Sequence, residues 1–182
     1  MVGQVGPGAI EVWSVNLVTA AVVALLVYAA LADIAARIIP DGIVIGVAVL
    51  GLATRVMAGL PSVAASIVAA LLSLALLVVL HSRGVMGGGD VKLAAAIVLG
   101  LPIESIYWFV MITALAGGVL ALLHLVLRAV IRTAPHALPR GAPLLRRAVT
   151  AEWWRIARRG SLPYGVAIAC GGIWAILASR GG

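Results

Sequence analysis

The sequence predicts an all-α, polytopic membrane protein with about six transmembrane helices and its N-terminus outside. Three observations predict this fold class. The 182 residues are 64% hydrophobic and 10% charged, with a mean hydropathy of +1.20, whereas a soluble domain carries about 25% charged residues. The apolar residues gather into runs close to the roughly 20 that a membrane helix needs. Basic residues crowd the loops that an N-terminus-outside arrangement puts in the cytoplasm, as the positive-inside rule requires. Nucleic-acid binding is a poor explanation of the net charge of +7, because most of the basic residues flank apolar runs. The single cysteine, Cys170, excludes an internal disulfide and a multi-cysteine zinc or redox site.

The apolar runs cover about 14–32, 42–60, 62–80, 91–103, 105–127 and 162–179. The first is not a signal peptide. It lacks a basic leading segment, follows Glu11, and runs into Asp33 and Arg37 rather than a small-residue cleavage site. The second follows Pro40 and Asp41, and Asp41 is expected to cap its helix. The fourth is short, so its helix is expected to begin at the turn Gly87-Gly88-Gly89-Asp90. The spacing Gly42-x-x-x-Gly46 and the pair Gly117-Gly118 suit close helix packing in lipid.

With the N-terminus outside, the inner loops hold Arg37, Arg83 and Lys92, together with the arginines from Arg128 to Arg159. Only Arg55 and Arg180 remain near the outer side. The single sizeable polar stretch is a basic cytoplasmic loop at 128–161, within what reads as one membrane-embedded domain spanning 1–182. Pro135, Pro139, Gly141 and Pro143 break its first half. Its second half, Arg146 to Arg159, suits an interfacial helix with Val149, Trp153 and Ile156 on one face and arginines near anionic headgroups. A solvated loop with tryptophan anchors is the simpler reading.

The chain has six carboxylates. Glu11 and Glu104 sit at expected outer boundaries and Glu152 in the basic loop, where an interfacial role suffices. Asp33 and Asp90 each abut a long apolar run, and a carboxylate there is a functional candidate by default. Asp33 falls at the inner end of the first span and Asp90 at the inner start of the fourth, at the same depth. Two carboxylates brought together can share one proton, one acting as base on a water and the other as acid toward a carbonyl oxygen or leaving amine. Gly87, Gly88 and Gly89 before Asp90 permit unusual backbone dihedrals and the close approach of an extended peptide. No His/Cys/Asp spacing resembles a metal site, and no cofactor is implied. His81 and Arg83, just before the glycines, read as interfacial anchors. Tyr164 borders the site or marks an interfacial helix start.

These residues carry a resemblance. Asp33-Ile-Ala-Ala-Arg37-Ile-Ile-Pro40-Asp41 resembles the D-x-x-x-R-x-I-P-N signature of prepilin peptidases. Met86-Gly-Gly-Gly-Asp90-Val-Lys92-Leu resembles their GxGD signature, and Leu162-Pro163-Tyr164-Gly165 is similar to the start of the last span in small members. The chain thus resembles a minimal member of the type IV leader peptidase family, of the short type found in tight-adherence pilus systems. The resemblance implies a membrane aspartic endopeptidase that removes the short basic leader of pilin-like precursors at the cytoplasmic membrane face. It implies Asp33 and Asp90 as the catalytic pair, with Gly87, Gly88, Gly89, Arg37, Pro40, Asp41, Lys92 and Tyr164 in the active-site loops or against substrate.

Asp41 departs from the family's asparagine. The larger enzymes' cytoplasmic insert with paired cysteines is missing, so peptidase activity without N-methylation is expected. The implied partners are a prepilin-like precursor and the bilayer. A presenilin-like protease is disfavoured, because Ala32 rather than tyrosine precedes Asp33. A proton-coupled carrier using the two aspartates as relays is disfavoured by their position at span ends and by the lack of a visible repeat. A structural subunit of a secretion system would leave the paired aspartates unexplained.

Overall fold

The computed structural model describes residues 7–132 and 163–180, with side chains from 15 to 127 and from 163 to 180. Most of the basic loop, including the expected interfacial helix from Arg146 to Arg159, lies outside the described residues. All regular structure among the described residues is helical, as expected. The helices are α1 (Pro7–Ala36), α2 (Asp41–Met57), α3 (Leu60–Ser82), α4 (Gly88–Gly100), α5 (Ile103–Arg132) and α6 (Tyr164–Ala178). Each coincides with one apolar run. Three hold stretches long and apolar enough to cross a membrane: Val15–Ala36, Leu60–Ser82 and Ile103–Leu127. With 17, 13 and 15 residues, α2, α4 and α6 are shorter.

Local sequence sets the breaks. Pro40 is extended (φ −63°, ψ 133°) and stands just before α2, since proline fixes φ and cannot continue an incoming helix. The turn before α3 uses Gly59 at φ +102°, a left-handed value that costs a glycine little.

The chain forms two compact units, one of residues 1–116 and 163–182, the other of 117–162. In the first, α4 packs on α2, α3 and α6, and α1 packs on α2 and α6. The short α4 is the most enclosed helix, burying Val91, Leu93, Ala94, Ala96, Ile97 and Val98. Leu26, Val47, Leu93, Ile97, Leu101 and Ile168 are the large fully buried side chains of the core. In contrast, α3 buries only Ser66 and exposes Leu71, Leu72, Leu76 and Val79. Such an uncovered apolar face suits hydrocarbon rather than water. In the second unit the described residues continue α5, with Val119, Leu122, Leu123 and Val126 exposed. The apolar helices make this a membrane protein.

Two glycines bring α2 and α4 into backbone contact. A Cβ added to Gly51 would lie 2.8 Å from the Gly100 Cα, and one added to Gly100 would lie 2.7 Å from the Gly51 Cα. Nothing flexible stands between them, so only glycine fits at either place. The packing glycines expected from sequence fare differently. Gly46 meets Leu25 at 3.0 Å, whereas a Cβ at Gly42 or Gly118 would meet nothing within 4 Å.

Candidate active site

The last turn of α1 carries Asp33, which is buried at 6% exposure. One carboxylate oxygen, Oδ2, accepts a hydrogen bond from the Gly165 backbone N–H at 2.9 Å. Gly165 is the second residue of α6, where backbone N–H groups have no intrahelical partner. A Cβ on Gly165 would come within 2.8 Å of Oδ2, so the approach requires glycine. Gly165 escaped the sequence reading as a site residue. The Pro163-Tyr164-Gly165 segment is the one sequence signal that points to it. Tyr164 begins α6 and is 38% exposed.

Arg37 follows the end of α1 in the left-handed region (φ +56°), a conformation that costs a non-glycine residue about 1–2 kcal/mol. Its backbone N–H donates to the Asp33 carbonyl at 2.9 Å. Its Nε and one terminal guanidinium nitrogen are buried without a hydrogen-bond partner. A strained backbone beneath an unsatisfied cation is the kind of cost that functional sites retain.

Asp90 occupies the third position of α4, as expected from the glycine turn. Its carboxylate faces back to the Gly87 backbone N–H, and the Asp33 charge bears on it electrostatically. An acid at the third position reaching back to the N-cap N–H is half of a capping box. The glycines do not serve the purpose that their flexibility suggests. Gly87 lies at φ −70°, ψ 147° and Gly88 and Gly89 are helical; none has positive φ. Space is the reason instead. A Cβ on Gly87 would stand 3.0 Å from Asp90 Oδ2, and one on Gly89 would stand 3.4 Å from the Ile39 Cβ. Ile39 is buried in the link after Asp33, so the third glycine lets α4 dock against the segment that carries the first aspartate.

Two further contacts hold the segments together. Asp41 does not cap α2. Pro40 occupies that position without a side-chain cap bond, and Asp41, one residue inside the helix, accepts from Lys92 Nζ at 2.9 Å. The physical cause is the lysine one turn below the α4 start, which draws the carboxylate across to it. His81 Nδ1 lies 2.8 Å from the Met86 carbonyl, which accepts only, so Nδ1 carries the proton. That bond closes the turn before the glycines, a role more specific than interfacial anchoring.

The structure thus brings Asp33, Arg37, Asp41, Gly87, Gly89, Asp90 and Lys92 into one region at the same ends of α1, α2 and α4. Among the described residues no three His, Cys, Asp or Glu side chains gather as a metal site.

Comparison with known proteins points the same way. No curated protein and no solved structure gives a match. The sequence pattern of the type IV leader peptidase family matches residues 20–122, which include both aspartates and every site residue above except those of α6. That match covers more than half of the 182 residues, and the chain belongs to the type IV leader peptidase family.

Proposed function

We propose that the chain is an aspartic endopeptidase that removes the short basic leader of pilin-like precursors of the tight-adherence type at the cytoplasmic membrane face. Family membership makes it a peptidase with a prepilin-like substrate. The observation that carries the finer reading is that two aspartates from different helices stand at one end of the bundle, with Gly89 beside Asp90 packed against Ile39 in the link after Asp33.

In this reading a water lies between the two side chains. The ionised aspartate takes a proton from the water as its oxygen attacks the carbonyl carbon of the scissile peptide. The protonated aspartate gives its proton to the carbonyl oxygen. The tetrahedral intermediate collapses as the C–N bond breaks: the leaving amine takes the proton that the first aspartate received, and a hydroxyl of the intermediate returns its proton to the second aspartate. The Gly165 N–H orients Asp33 and the Gly87 N–H orients Asp90, so neither carboxyl must be reorganised during the reaction. Arg37, with its unpartnered guanidinium nitrogens, offers donors to substrate carbonyls. The N-terminus-outside orientation sets this end of the helices at the cytoplasm, where a basic leader arrives. Without the cysteine-bearing insert, the product amine stays unmethylated.

The reading is tested by incubating membranes holding the full chain with a tight-adherence pilin precursor and weighing the product. Cleavage after the glycine that ends the leader, with an unmethylated new N-terminus, is the expected result. Cleavage elsewhere removes the substrate assignment, and a methylated product removes the peptidase-only assignment.

A further inference from the structure

At the end of the bundle opposite the aspartates lies a cavity of about 200 Å³ between α1, α2, α4 and α6. Its polar lining is Thr19, Thr54, Arg55, Ser179 and Arg180; the rest is apolar, including Val22, Val47 and Ile176. Thr19 and Asp33 are separated by about 21 Å along α1 at ~1.5 Å per residue, so this cavity is no extension of the active site.

Among the described residues the two arginines have no counter-ion. The one ion pair among the described residues joins Lys92 and Asp41, at the other end of the bundle. Arg55 Nε is buried with no hydrogen-bond partner. Arg180 donates one guanidinium N–H to the Val15 carbonyl at 3.1 Å. Partial desolvation, and then the neighbouring Arg55 charge, hold the Arg180 guanidinium below its ordinary pKa. Two cations drawn together at the edge of an apolar cavity are costly unless an anion joins them.

The hydroxyls define what kind of anion. Thr19, Thr54 and Ser179 each donate to a carbonyl of their own chain segment, Val15, Gly51 and Ile176 respectively, at 2.8, 2.6 and 2.9 Å. Their protons are committed, so the free donors of the cavity are guanidinium N–H groups. A ligand that only accepts, through several oxygens at the spacing of a guanidinium fork, is a carboxylate or a phosphate, and the tetrahedral oxygens of a phosphate can face two guanidinium groups at once. The volume lies below the roughly 300–1,000 Å³ of drug-sized ligands and suits a phosphate with little attached. Arg55 and Arg180 are also the two basic residues that the positive-inside arrangement leaves on the outer side, where charge alone gives no reason for them.

We propose that Arg55 and Arg180 form a phosphate-binding site at the membrane face opposite the aspartates. The phosphate comes from a phospholipid headgroup or from free phosphate in solution, and the test separates the two. Exposed Val56, Met57, Leu60 and Leu177 near the cavity would border the acyl chains of a lipid occupant.

The full chain is purified in a nonionic, phosphate-free detergent and titrated with a short-chain phosphatidylglycerol, with inorganic phosphate, and with the matching diacylglycerol that lacks the phosphate. Binding is read by calorimetry and by the shift in unfolding temperature. The expected result is saturable binding of the phospholipid, weakened at least tenfold in Arg55→Gln and in Arg180→Gln, unchanged in Arg83→Gln, and no binding of the diacylglycerol. Equally tight binding of inorganic phosphate with the same arginine dependence upholds the phosphate site and assigns its source to solution. Arg180 lies beyond the end of α6, so Arg180→Gln keeps the test open should Arg55→Gln fail to fold. Absence of binding by both phosphate ligands, binding that survives both substitutions, or equal binding of the diacylglycerol overturns the proposal.

Discussion

Gly165→Ala isolates the contact between α6 and Asp33. The added Cβ would stand 2.8 Å from Oδ2 and 3.0 Å from both Cβ and Cγ of Asp33. Asp33 is buried, and none of these atoms is the free end of a long side chain. Relief to ordinary contact requires a retreat of about 0.6 Å. That movement carries the 2.9 Å bond from the Gly165 N–H to the edge of hydrogen-bonding range. A hydrogen bond to a charged group contributes about 1.5–3 kcal/mol, and about 1.4 kcal/mol corresponds to tenfold in rate. Cleavage by the Gly165→Ala protein should therefore fall by about 10- to 150-fold in kcat/KM, measured on a pilin-like precursor in membranes. Folding should suffer less, because alanine regains up to about 1 kcal/mol of helix propensity over glycine against an overpacking cost of about 1–3 kcal/mol. Gly42→Ala is the matched control, since its Cβ meets nothing within 4 Å, and it should leave cleavage unchanged. Wild-type cleavage by Gly165→Ala, with the protein folded, would refute the assignment of the Gly165 N–H as the group that holds Asp33.

Three further outcomes follow from the same geometry. Gly51→Ala and Gly100→Ala each force backbone against backbone, so either should destabilise the protein by about 1–3 kcal/mol, seen as a lower unfolding temperature in detergent, and the double variant should be worse than either. Lys92→Ala should lower cleavage less than tenfold, because its ion pair with Asp41 is exposed at 56% and 69% and such pairs contribute about 0–1 kcal/mol; Asp41→Asn, which restores the family's residue, should be nearly silent in the same assay. Gly87→Ala places a Cβ 3.0 Å from Asp90 Oδ2 and should depress kcat more than it raises KM, a split that steady-state kinetics resolves.

The fold was legible where one physical force dominates. Hydropathy located all six helices of the described residues, because each apolar run must leave water and each break carries glycine, proline or charge. The short α4 was also legible, since Asp90 after three glycines marks a helix start. The interior contacts were not. Gly51 and Gly100 lie far apart in sequence, and a glycine needed for space looks the same as one at an open position such as Gly42. The same ambiguity hid the reason for Gly87 and Gly89, which are crowded rather than flexible. Gly165 contributes a backbone N–H, and a sequence displays side chains, so a main-chain donor leaves no residue-type signature. Asp41 was read from its place after proline, yet a lysine 51 residues away decides where its carboxylate goes.

In the proposed mechanism Asp33 and Asp90 act as a pair, and replacing each by asparagine tests this most directly. Asparagine keeps the shape and removes the titratable oxygen, so both proteins should insert and fold while neither shares a proton between the two sites. The measurement is cleavage of a tight-adherence pilin precursor in membranes by wild type, Asp33→Asn and Asp90→Asn at equal expression. Loss of cleavage in both variants, with wild type active, is the predicted result. Full cleavage by either variant would contradict the two-aspartate mechanism.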